Sequence, residues 1–154
     1  GVYLKFNRRY CRIANEESLQ VHPKMNANIT VLKLFPGITK ASVLAILNQD
    51  KTEAVLLETF GSGNAPTSKW FLDEIEAAIN KGLLILNVSQ CMGGSVDLGR
   101  YETSKRLKDM GVLSAYDMSF EAALTKLMFV LGYTKSKEKR IALLSANLQG
   151  EMTL

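Results

Sequence analysis

Two cysteines and one histidine in 154 residues leave this sequence short of the donors that a metal centre or a disulfide framework requires. Cys11 and Cys91 lie far apart in unrelated contexts, so no framework or ligand spacing joins them, and reduced thiols in a cytoplasmic protein are the expectation. His22 has no nearby ligand partner, which sets zinc aside. No apolar run approaches the ~20 residues needed to span a bilayer, and the start lacks a signal-peptide pattern, so no membrane partner is expected. The chain opens at "GVYLKF" without an initiating Met, which reads as a fragment of something longer. There is no GxSxG, no GxGxxG, and no GxxxxGK followed by Ser or Thr, so hydrolase elbows and nucleotide cradles lack their sequence signal. Charge of one sign is also scarce: the net charge is +4, and its excess sits mostly in "LKFNRRYCR" and "KSKEKR". The Arg8, Arg9, Tyr10, Arg12 cluster is the one candidate for nucleic acid, and a solvated edge explains it better.

What the sequence does hold is alternation. From Ile29 onward, short β-rich apolar runs are followed by longer helical patterns, the order that specifies a parallel sheet. "ITVLKLF", "EAVLLET" and "LLILNVS" read as strands, the last almost continuously apolar, as expected when helices cover both faces. "TKASVLAILNQ" reads as a helix capped by Thr39. "KWFLDEIEAAINKG" places Trp70, Phe71, Ile75, Ala78 and Ile79 on one stripe and stops at Gly82. "YETSKRLKDMG" predicts a polar helix ended by Gly111, and "VLSAYD" a short extended run. "MSFEAALTKLMFVLGY" predicts a helix capped by Ser119, and "KEKRIALLSANLQGEM" a last one ended by Gly150. The expected fold is α/β, a three-layer sandwich with a mainly parallel sheet of about four strands flanked by helices. Residues 1–28 read as a lead-in, with strand candidates in "VYLKF" and "RRYCRIA", and residues 29–154 as the domain. Asn28 and Asn87 each begin a glycosylation triplet, a pattern that means little without secretion.

In an open parallel sheet, ligands bind beyond the carboxyl ends of the strands, where strand order reverses. Three loops leave strands on that side, "PGIT", "GSGNAPTS" and "SQCMGGSVDLG". In "GSGNAP" the glycines allow close approach of the backbone, and Asn64 offers an amide with both donor and acceptor. Such an amide can read another amide or an amino acid's charged groups; the plainer reading is a turn with Asn64 as a local cap. Ser62 has no evident base, and Cys91 is expected to be a buried structural thiol. Asp97, Glu102, Asp117 and Glu121 are unpaired by spacing, and Glu102 and Glu121 read as first-turn helix residues. The residues by themselves give a polar, glycine-rich edge and no complete catalytic set.

"TFGSGNAP", then "QCMGGSVDLGRY", then "DMSFEAALTKL", with "LFPGI" before them and "NLQGEMT" after, occur here in order. With these motifs the sequence resembles the carboxyl-terminal domain of L-asparaginases, above all the cytoplasmic bacterial class called type I. The resemblance runs from about Ile29 to the end. It implies amidohydrolysis of L-asparagine to aspartate and ammonia without a cofactor, with the catalytic threonines in an amino-terminal domain that this sequence does not contain. This chain then carries no catalytic residue. Asn64, on the loop of Gly61, Ser62 and Gly63, is implied to reach the substrate across a subunit interface in a homo-oligomer. The resemblance further implies an effector site at the positions of Glu58, Ser89, Gln90 and Cys91, with Glu58 where relatives carry an arginine. That reversal of charge predicts weak or absent activation by asparagine. A free-standing α/β module binding an amino acid or nucleotide is the competing expectation.

Overall fold

The computed structural model describes residue 11, residues 18–99 and residues 102–153, apart from the side chain of residue 103. The strand candidates "VYLKF" and, apart from Cys11, "RRYCRIA" lie outside the described residues, as does the arginine cluster at 8, 9 and 12. Four strands, β1 (Ile29–Lys33), β2 (Ala54–Thr59), β3 (Leu84–Ser89) and β4 (Leu113–Ser114), form one sheet in the order β1-β2-β3-β4. Every pairing is parallel, with Ala54 opposite Leu84 and Leu86 opposite Leu113. Helices α1 (Lys40–Leu47), α2 (Lys69–Asn80) and α3 (Glu102–Met110) follow the first three strands, and α4 (Phe120–Tyr133) and α5 (Lys137–Ser145) follow β4.

Alternation along the strands divides the core in two. Leu32, Val55, Leu57 and Ile85 meet Val43, Phe71, Ile75 and Leu107 from α1, α2 and α3 on one face. Ala54, Leu56, Leu84, Leu86 and Val88 meet Ala123, Leu127, Val130 and Leu144 from α4 and α5 on the other. The three-layer α/β sandwich therefore forms as its strand pattern requires. One expectation does not hold: no reversal of strand order occurs among the described strands. The crossovers through α1, α2 and α3 all lie on one face, so each new strand adds to the same edge and no switch-point crevice opens.

Helix ends follow local chemistry. Thr39 accepts from the Ser42 amide at 3.2 Å, and Ser119 accepts from the Ala122 amide at 3.2 Å. After α2, the Gly82 and Leu83 amides donate back to Ile79 and Ala78, and after α3 the Gly111 and Val112 amides donate to Lys108 and Leu107. The last helix is shorter than its apolar pattern suggests and ends at Ser145, not near Gly150. Asn147 stops it: its side chain accepts from the Gly150 amide at 2.7 Å and donates to the Met152 carbonyl. The Glu151 carboxylate then caps the Leu148 and Gln149 amides and pairs at 2.7 Å with Lys126, whose side chain is buried.

At the amino-terminal end of the sheet, Glu53 gathers four partners. Its carboxylate accepts from Asn26 at 2.7 Å and Arg140 at 2.8 Å, and also from Lys135 and Asn28. This ties the segment before β1 to β2, the α4–α5 turn and α5. The same segment runs so close to α4 that a methyl group on Gly132 would collide with the Lys24 carbonyl. Burial pushes the Glu53 carboxyl up; the bonds from Asn26, Arg140, Lys135 and Asn28 outweigh it and hold it at about 2. Glu151 is likewise raised by burial and more than compensated by Lys126 and its two backbone amides, again to about 2.

Both values lie below the ordinary 4.5, so the stability these groups contribute is complete above about pH 5 and is lost as pH falls from there toward 2. Replacing Glu53 by Gln leaves Arg140 with no counter-charge and is expected to cost ~3 kcal/mol at neutral pH. It should also flatten the acid limb of a Tm-versus-pH curve. Identical curves for Glu53→Gln and the unaltered protein would contradict this.

Candidate active-site edge

The loops beyond the carboxyl ends of β2 and β3 are held by short, neutral hydrogen bonds. Phe60 and Asn64 exchange both backbone bonds, at 2.9 and 2.8 Å, and the Gly63 amide adds a third to Phe60 at 3.1 Å. "FGSGN" is thus a closed turn that presents Asn64, and Asn64 is not the cap of α2; Ser68 occupies that position. Ser89 donates to the Gly61 carbonyl at 2.6 Å, and the Asp97 amide donates to the Ser62 carbonyl at 3.1 Å. Val96 continues outward: its amide donates to Tyr116, and its carbonyl accepts from the Ser114 hydroxyl at 2.8 Å. The Thr153 amide reaches the same edge and donates to Asp117 at 2.7 Å. Burial pushes the Asp117 carboxyl up, and the Thr153 bond outweighs it and holds it below the usual carboxylate range.

Gly63 is the point on which the turn depends. Its φ is +107°, and a Cβ there would lie 3.3 Å from Val96, 3.5 Å from Leu98 and 3.5 Å from the Asn87 amide nitrogen. Below it, Thr59 and Asn87, both fully buried, point to the α1–α3 face from neighbouring strands. The Thr59 hydroxyl donates to Asn87 Oδ1 at 2.7 Å, and the Asn87 Nδ2 group has no partner. With no exposed surface, Asn87 cannot serve as a glycosylation acceptor, whatever its triplet suggests.

The sequence-derived residues fall into two groups. Gly61, Ser62, Gly63 and Asn64 come together with Ser89 in one bonded unit. Glu58 does not join them: strand alternation turns it to the opposite face, where it is nearly buried and pairs with Lys33 at 3.5 Å. Gln90 links the two groups through the main chain, donating to the Leu34 and Glu58 carbonyls at 2.7 and 2.9 Å. Cys91 is exposed and not the buried thiol expected; after Ser89 the chain turns outward, with the Cys91 amide bonded to the Ser89 hydroxyl. No helix among the described residues is long and apolar enough to cross a membrane. Sequence reasoning missed the Thr59–Asn87 pair, although an asparagine inside the apolar run "LLILNVS" was a readable signal.

A family model described as the glutaminase/asparaginase C-terminal domain matches residues 28–144. L-asparaginase 1 of Escherichia coli K12 is 39% identical over 138 residues, which cover 90% of this chain and 40% of that protein. A human 60 kDa lysophospholipase is 40% identical over 155 residues, covering 99% of this chain and 27% of that protein. The solved structure of L-asparaginase I from Vibrio cholerae superposes with a TM-score of 0.83 at 39% identity, over 90% of this chain and 42% of the other. The chain therefore spans less than half the length of these relatives.

The crowding at Gly63 gives a direct check. Gly63→Ala forces a side chain into a positive-φ position against three neighbours and is expected to cost ~1–3 kcal/mol in urea unfolding. Gly37→Ala, also at positive φ but with open space around it, should cost less. Equal costs would show that the packing over Asn87 carries no weight.

Proposed function

Because the chain belongs to the glutaminase/asparaginase C-terminal domain family, we propose that it is the carboxyl-terminal domain of a cytoplasmic L-asparaginase. The parent protein hydrolyses the side-chain amide of L-asparagine to aspartate and ammonia through a threonine acyl-enzyme. The threonines come from an amino-terminal domain outside residues 29–154, and residues 1–28 lead in from it. This domain contributes Asn64 to the substrate across a subunit interface of a homo-oligomer. The observation that carries this reading is the closed, hydrogen-bonded turn that holds Asn64 at the strands' carboxyl edge. A side-chain amide is suited to this task because it both donates to a carboxylate and accepts from an ammonium group.

Glu58 bears on regulation. A carboxylate paired to Lys33, where the resemblance implies an arginine, repels the carboxylate of an amino-acid effector. The side chains of Ser89 and Glu58 also lie on opposite faces of the sheet. The full-length enzyme is therefore proposed to respond hyperbolically to asparagine; a sigmoidal response that Glu58→Ala leaves unaltered would contradict this.

The similarity to a lysophospholipase supports a second reading, in which the parent acts on lysophospholipid. The observation in its favour is an apolar groove of about 620 Å³ between α4, α5 and the 22–25 segment, lined by Met25, Phe129, Tyr133, Leu143 and Leu148. Release of fatty acid from lysophosphatidylcholine by the full-length protein, with no ammonia from asparagine, would favour it over the first.

Asn64→Ala in the full-length protein is expected to lower kcat/KM for asparagine ~10- to 100-fold with little change in Tm. An unchanged kcat/KM would remove the role assigned to Asn64. Residues 1–154 alone should release no ammonia from asparagine.

A further inference from the structure

At this edge Asn87 is fully buried and holds an unused hydrogen-bonding group, its Nδ2 amide. Burying an amide donor without a partner is costly, and an apolar residue of the same shape would avoid the cost. The orientation is determined by its neighbour. Thr59 donates to Oδ1 at 2.7 Å, whereas its alternative acceptor, the Val88 carbonyl, lies at 3.5 Å, so the oxygen faces Thr59 and the nitrogen faces Gly63. Turning the amide over would still leave one of its polar atoms beneath Gly63. Two neighbouring donors are used: the Ser89 hydroxyl holds Gly61, and the Asp97 amide holds Ser62. Gly63 and Asn64 bond back to Phe60 within the turn.

Resting on the reading of Asn64 above, we infer that Asn87 is a positioning residue for Asn64. Its Nδ2 group donates to a main-chain carbonyl of the turn at Gly63 when Asn64 engages substrate. A donor that is idle in the free protein and used in the complex stabilises the complex selectively, so it strengthens substrate capture without adding to the stability of the unliganded fold. Gly63 suits this place because its φ of +107° favours glycine and because a Cβ there would occupy the space above the amide, 3.5 Å from Nδ2. Thr59 has a supporting part: its hydroxyl fixes which end of the amide faces upward.

The test uses full-length enzyme and L-asparagine, with Asn87→Leu, Thr59→Val, Asn64→Ala and the double variants Asn64→Ala/Asn87→Leu and Thr59→Val/Asn87→Leu. Asn87→Leu should lower kcat/KM ~10-fold, mainly through KM, with some loss of Tm because the buried Thr59 hydroxyl loses its acceptor; Thr59→Val/Asn87→Leu, which leaves no hydroxyl unpaired, should keep the loss of kcat/KM while Tm stays near that of the unaltered enzyme. In the Asn64→Ala background Asn87→Leu should have almost no further effect, since nothing remains to be positioned. Thr59→Val should show a smaller loss of the same kind, and it carries the test if Asn87→Leu does not fold. Unaltered kcat/KM in Asn87→Leu, or activity and Tm falling in step in Thr59→Val/Asn87→Leu, would overturn the inference while leaving a damaging Asn64→Ala intact. A silent Asn64→Ala would remove the underlying reading, and the inference with it.

Discussion

The hydrogen bond from Thr59 to Asn87 joins the carboxyl ends of the two central strands inside a layer that is otherwise apolar. Parallel strands covered on both faces leave little room for polar side chains, and these two residues are tolerated because each satisfies part of the other. The β2–β3 register brings Leu57 opposite Asn87 and Thr59 opposite Ser89, which places Thr59, Asn87 and Ser89 on one face at one end. From there, Ser89 holds Gly61, Asp97 holds Ser62, and Val96 ties both loops to the end of β4. If that register slipped by one residue, the polar set would turn toward α4 and α5 and the turn would lose its support.

The two ends of the sheet are built from different interactions. At the amino-terminal end, the ion-paired hub at Glu53 joins elements that are distant in sequence and responds to pH. At the carboxyl end, neutral hydrogen bonds between adjacent loops hold Asn64, and these do not titrate in the same range. The pH-sensitive ion pairs and the bonds that hold Asn64 are thereby separate groups. The Lys126–Glu151 pair connects them only indirectly, by fixing the chain's last turn so that Thr153 reaches Asp117.

Much of this was legible in the sequence because it is encoded locally. The buried strands follow from "EAVLLET" and "LLILNVS", the caps from Thr39 and Ser119, and the stops from Gly82 and Gly111. The stripe on α2 was also legible, since Phe71, Ile75 and Ala78 recur at helical spacing. Features set by distant partners were not. Asn147 shortens the last helix by bonding residues beyond it, Cys91 is exposed because Ser89 redirects the chain, and Glu53 meets Arg140 from 87 positions away. Strand order was illegible for a similar reason: alternation dictates parallel pairing but not the edge to which each new strand adds. Asn64 was found through a motif, whereas the structure reveals that its turn is bonded from below.

The most direct measurement is a crystal structure of the full-length protein with L-aspartate bound. The account predicts the Asn64 side-chain amide within hydrogen-bonding distance, ~3 Å, of the ligand's charged groups, with the ligand held in the amino-terminal domain of a neighbouring subunit. An Asn64 amide well beyond that reach, or a ligand seated away from the "FGSGN" turn, would contradict it.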